Sequence, residues 1–132
     1  MHSAFRGSGL LSHKNDRFLI VELHKDESIE ERIKYNDKFI SPSVFQWQTP
    51  NNTSQDSERG KDLTQNKQRG VNLHLFVRKI KEIDGSIQPF IYLGKADCIE
   101  KTGEKPITLQ LKLENKISSA LYEELNSPII VP

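Results

Sequence analysis

The sequence has few of the residues that staple a chain or hold a metal. Cys98 is the only cysteine among 132 residues, which excludes an intramolecular disulfide and a cysteine-based metal centre. The histidines, His2, His13, His24 and His74, fall at no spacing that resembles a ligand set. Long apolar runs are missing too, and the first residues, MHSAFRGSGLLSHK, lack the apolar core of a secretory signal. A soluble chain in a reducing, cytoplasmic setting is expected, with no membrane partner. No glycine-rich phosphate loop, nucleophile elbow or paired-carboxylate pattern is present, so a non-catalytic module without metal or cofactor is expected.

Charge of either sign is scarce only in the total. The formal net charge is +1, but residues 59–81 carry Arg59, Lys61, Lys67, Arg69, Arg78, Lys79 and Lys81 against one acid, Asp62. Residues 22–31 are the reverse, with Glu22, Asp26, Glu27, Glu30 and Glu31 against Lys25. Such polarity lets a folded domain present one basic face to a polyanion, or simply two solvated faces. The length fits one domain over residues 1–132, with a core over about 17–125 and enough chain to bury it without staples.

Hydrophobic patterning predicts an α+β domain. Residues 17–24, RFLIVELH, read as a strand buried on both faces, and the Ser28-Ile29-Glu30-Glu31 capping box opens a short helix ending near Tyr35. Asn36-Asp37 favours a turn, and Phe39-Ile40 a small apolar anchor. In residues 44–48, Phe45 and Trp47 point one way and Val44, Gln46 and Gln48 the other. Val71, Leu73, Leu75 and Val77 alternate with Asn72, His74, Phe76 and Arg78, the clearest strand. Asp84-Gly85 signals a two-residue hairpin turn, and Gln88 to Leu93 returns as a strand that Gly94 breaks or bulges. A short strand at 96–100, an alternating strand at 107–113 and a closing helix capped by Asn115 complete a meander. The expectation is a mostly antiparallel, strongly curved sheet or β-pseudobarrel with two or three short helices.

Between these elements lies a long polar stretch. From Thr49 to Gly70 the single aliphatic side chain is Leu63, and connections of that kind are binding loops or disorder. Ser54 or Asp56 is a candidate cap for a polar helix running toward Lys67, which Gly60 would weaken. A tryptophan strand leading into Gln48, Asn51, Asn52 and Thr53, then Arg59, Lys61, Lys67 and Arg69, combines an aromatic, amides and cations. Cations and amides hold phosphates, fixed donor and acceptor patterns read base edges, and an aromatic such as Tyr35, Trp47 or Tyr92 can stack on an exposed base. For Trp47 beside Phe45, and Tyr92 beside Phe90, the competing reading is a core residue.

At these residues the sequence resembles a known family. Tyr35, Asp37, Phe39-Ile40-Ser41, Phe45-Gln46-Trp47-Gln48, Asn51, Thr53 and Arg59-Gly60, followed by Leu75-Phe76-Val77-Arg78, Pro89-Phe90-Ile91-Tyr92-Leu93-Gly94 and the segment from Gly103 to Pro106, are similar to the uncharacterised carboxy-terminal domain of bacterial proteins that join a phospholipase-D-type nuclease to a DEAD/DEAH-type helicase. Pro50 departs from that pattern, which has a polar residue there.

The resemblance implies a role in phage defence. Such proteins look like type IV restriction endonucleases, which attack DNA bearing modified cytosine, with the terminal domain as an SRA-like reader and nuclease and helicase elsewhere in the parent chain. Under that reading Tyr35 or Trp47 stacks on a flipped base and Asp37 accepts from the cytosine amino group. Gln48, Asn51, Asn52 and Thr53 line the groove, with Arg59, Lys61, Lys67 and Arg78 on phosphates. The rival expectation is a protein-interaction or autoinhibitory domain that docks on the helicase without DNA specificity.

Overall fold

The computed structural model describes residues 9–24 and 37–127, so the helix expected over 28–35, and Tyr35 with it, lie outside the described residues. Alternating chains of aliphatic residues build the sheet. Strands β1 (Gly9–His13) and β2 (Asp16–Glu22) pair as a hairpin at one side, and β3 (Lys38–Ser41) and β4 (Val44–Gln48) at the other. Between them lie β5 (Asn72–Arg78), β8 (Ile91–Thr102) and β9 (Thr108–Leu113). The order is β1-β2-β5-β8-β9-β4-β3 in one seven-stranded sheet. A separate ribbon is formed by β6 (Glu82–Ile83) and β7 (Ser86–Ile87), joined at Asp84 and Gly85 with φ of 51° and 82°. Both central residues of that turn have positive φ, the geometry for which an Asp-Gly pair is suited.

This is an α+β fold with a mostly antiparallel, open sheet. The pairs are antiparallel except β2 with β5, whose parallel register sets Leu19 beside Leu75 and Val21 beside Val77. A meander in a mostly antiparallel sheet was expected, and the one parallel pair departs from the meander because β5 returns to β2 only after β3, β4 and the polar stretch. The edges β1 and β3 are not hydrogen-bonded to one another, so a closed barrel is absent among the described residues. Strand β8 is continuous where two strands were expected. Gly94, at φ 98°, absorbs a register shift opposite Leu75 and Phe76, so the chain bulges and continues.

One apolar core lies on one face of the sheet. Leu19, Val21, Phe45, Trp47, Leu73, Leu75, Val77, Leu109 and Leu111 are buried together, as period-two alternation requires. Helix α1 (Glu58–Thr64) drives Leu63, fully buried, into that core. Helix α2 (Ser119–Asn126) covers it with Leu125 and packs the Tyr122 ring 6.2 Å from Phe39. The helix caps differ from expectation: Ser57 accepts from the Gly60 N–H and Ser118 from the Leu121 N–H. In both cases the hydroxyl stands where it reaches the third helical amide, so the upstream candidates Ser54, Asp56 and Asn115 fall outside the helix.

Candidate nucleic-acid interface

The two sides of the open sheet meet at a hollow. A pocket of about 270 Å³ is lined by Gly9 of β1, Ile20 of β2, Asp37, then Trp47 and Gln48 of β4, and Thr49 and Pro50 beyond it. Because β1 and β4 lie far apart in the strand order, their convergence here marks the unpaired seam of a curled sheet. The seam gathers Asp37, Trp47 and Gln48. Asp37 Oδ1 accepts from the Gln48 backbone N–H at 2.8 Å, which ties the turn before β3 to the end of β4. Gln48 Nε2 donates to Thr108 Oγ1 at 3.0 Å, holding the amide at the rim.

Trp47 is a core residue. It is 4% exposed, on the same face as the fully buried Phe45 and opposite Leu109 in the register. That burial withholds the indole face from a stacked base and leaves it as a wall of the pocket, so the stacking role assigned to it is corrected. Arg78 is corrected likewise. Its side chain is buried, with Nε and Nη2 donating to Glu22 Oε1 at 3.1 and 2.8 Å and Nη1 to the Gln88 carbonyl at 3.0 Å. The guanidinium also lies 4.3 Å from the Phe90 ring centroid, and a group so enclosed does not reach a phosphate.

The polar stretch is folded around its own backbone. Thr49 is buried, its hydroxyl accepting from the Ile107 N–H at 2.9 Å, and Thr53, 2% exposed, has its carbonyl bonded to the Lys105 N–H at 3.0 Å. Asn51 and Asn52 are exposed at the turn between them, immediately after the residues that line the seam pocket. Arg59 is exposed and leans back on that turn, 3.4 Å from Asn52 Oδ1 and 3.5 Å from Thr53 Oγ1. Gly60 explains the tight fold. A Cβ there would stand 1.9 Å from the Ser54 carbonyl oxygen, so the helix backbone touches its approach loop where a side chain has no room.

The basic run is dispersed. Arg69 is held by Asp62 at 3.0 Å and by Glu58 at 2.6 Å, and Asp62 also pairs with Arg17 at 3.0 Å, so this network fastens α1 to β2. Lys61 is half-buried on α1. Lys67 is exposed and lines a different hollow, about 200 Å³, with Gly70, Asn72, Lys95 and Glu114. Thus Arg59, Asn51 and Asn52 stand next to the seam, whereas Lys67 does not.

A second cluster escaped the sequence reading. On the side of the sheet away from the core, Phe18 stacks on His74 at 5.2 Å, and Phe76 lies 4.7 Å from Tyr92. His74 bonds Asp16 Oδ1 through Nε2 at 2.9 Å and the Tyr92 hydroxyl through Nδ1 at 2.8 Å. A carboxylate only accepts, so Nε2 carries a proton, and in the neutral ring Tyr92 donates to Nδ1. The His74 bond holds the Asp16 carboxyl below its ordinary range, helped by Asn72. Tyr92, expected as a core alternative, is 50% exposed, and its phenol is pushed up by desolvation and by the Glu114 charge. The signal was present in the alternation itself, which places His74 and Phe76 opposite Leu73, Leu75 and Val77.

A family model described as a domain of unknown function, DUF3427, matches residues 1–125. The chain belongs to the DUF3427 family. No curated protein matches it. Within this DUF3427 chain no helix among the described residues is long and apolar enough to cross a membrane. Nor does any group of His, Cys, Asp or Glu among them stand ready to hold a metal ion.

Proposed function

We propose that this DUF3427 domain is a DNA-recognition module that reads modified cytosine, methylated or hydroxymethylated, and directs the nuclease and helicase of a type IV restriction protein. The observation that carries the reading is the seam pocket. It gathers Asp37, Trp47 and Gln48, residues on which the sequence resemblance rests, in a concave site followed at once by the exposed amides of Asn51 and Asn52 and by Arg59. An extruded base needs such a hollow, with an apolar wall and a few oriented polar groups, to offset an unstacking cost of roughly a few kcal/mol. A carboxylate is the natural acceptor for the cytosine amino group. Asn51, Asn52 and Arg59 supply donors for the strand that carries the base.

The test is binding of the chain to matched duplexes bearing unmodified, methylated or hydroxymethylated cytosine, titrated across salt. Preference for a modified duplex is the expected result. Asp37→Asn keeps an oxygen for the Gln48 N–H while removing the charge, and is expected to weaken binding of the preferred duplex by about 1–3 kcal/mol. Salt-sensitive binding without preference reduces the domain to a general DNA clamp. A second reading, docking on the helicase, is favoured by the β6–β7 ribbon, which exposes Ile83 at 51% and Ile87 at 62%. It predicts no affinity for any duplex.

A further inference from the structure

We propose that the outer face of β2, β5 and β8 is a second nucleic-acid surface that takes single strands, with unpaired bases stacking on Phe76, Tyr92 and Phe18. This face stands apart from the seam reading and survives its failure. Parity defines it. Leu19, Leu75 and Val77 enter the core, so Phe18, His74 and Phe76 point the other way, and Tyr92 joins them opposite Phe76 in the register. The rings form a continuous tract across three neighbouring strands, Phe18 lying 6.3 Å from Phe76 and His74 5.9 Å from Tyr92.

The tract is rigid and bounded. Asp16, His74 and Tyr92 are hydrogen-bonded in series, which fixes the imidazole and the phenol before any ligand arrives. At the next register position the Glu22–Arg78 pair is closed over by Phe90 and Gln88, so the open face ends there. Preorganised rings on a sheet face, Tyr92 exposed and Phe18, His74 and Phe76 half-buried beside it, suit bases whose π-faces are free, a condition that single strands meet and duplexes do not.

Charge favours the same occupant. Lys95 lies directly opposite His74 across β5 and β8, on the same side, and shares a hollow with Lys67. A backbone crossing the rings passes Lys95, and the hollow beside that lysine extends to Lys67. Of the acids nearby, Asp16 is bonded by His74 and Asn72, and Asp97 by Asn66 at 2.9 Å. Glu114, in the hollow with the lysines, opposes a phosphate and provides a handle for the test.

The experiment is fluorescence anisotropy of the chain with labelled oligothymidine, a ligand that holds no cytosine for the seam pocket to read. Binding that weakens about 5- to 150-fold in Tyr92→Ala but stays near the original in Tyr92→Phe is expected, since stacking needs the ring and not the hydroxyl. Lys95→Ala should reduce the salt slope by roughly 0.7, and Glu114→Gln should tighten binding. Where a variant unfolds, backbone amide shifts of the unaltered chain decide: perturbation on β2, β5 and β8 supports the face. Absence of oligothymidine binding, shifts confined elsewhere, or equal loss in the Ala and Phe variants overturns it.

Discussion

At the end of β5, Arg78 places two guanidinium nitrogens on one Glu22 oxygen and a third on a backbone carbonyl, with an aromatic ring over the plane. Both side chains of the pair are 8% exposed, so neither charge has water to fall back on. Replacing Arg78 by Met leaves Glu22 buried opposite an apolar group and is expected to cost about 3–5 kcal/mol in urea denaturation. Adding Glu22→Met should recover much of that loss, because a buried pair is held as much by the penalty of breaking it as by its own attraction. Asp16 behaves differently, being ionised at the surface. Its carboxyl lies below the ordinary value of 3.8 through the His74 bond, so the stability it contributes is fully present above that pH. It is lost only as pH falls through the lower folded value. Carbon-detected NMR titration should find the Asp16 midpoint below 3.8, moving upward in His74→Ala.

Helix α1 shows how a segment with almost nothing to bury becomes an element. It spans Glu58–Thr64, a length at which propensity alone gives no stable helix, and its order comes from Leu63 in the core, the Ser57 cap and the Arg17–Asp62–Arg69 bridge. Gly60→Ala would raise helix propensity yet force a Cβ against the Ser54 carbonyl. The expected outcome is a loss of about 1–3 kcal/mol in thermal unfolding, with amide exchange accelerating first in this helix. What sequence could read here was limited by range. Period-two alternation made β5 and β9 legible, and the Asp84-Gly85 pair made the ribbon legible, because those signals are local. The parallel partner of β2 and the seam that brings Gly9 to Trp47 depend on strand order, which no local pattern states. Trp47 and Arg78 misled for one reason: residue type suggests chemistry, whereas burial decides whether that chemistry is available.

Considered whole, the chain carries two unlike surfaces on one curved sheet, a hollow at its unpaired seam and an aromatic face on its outside. The cations are spread between them, with Arg59 beside the seam and Lys67 with Lys95 beside the face. Removing Arg59 should therefore lower the salt slope of duplex binding by about 0.9 and spare that of single strands, a division measurable by titrating both ligands across salt. The parallel pairing of β2 with β5 also sets a timetable. During synthesis β2 emerges with Leu19 and Val21 but waits for its neighbour until everything through Asn72 has been made. At about 5–20 residues per second that interval lasts several seconds, during which one strand edge is unclaimed. A product released before β5 holds apolar strands without their mates, and its fate is to aggregate or be degraded.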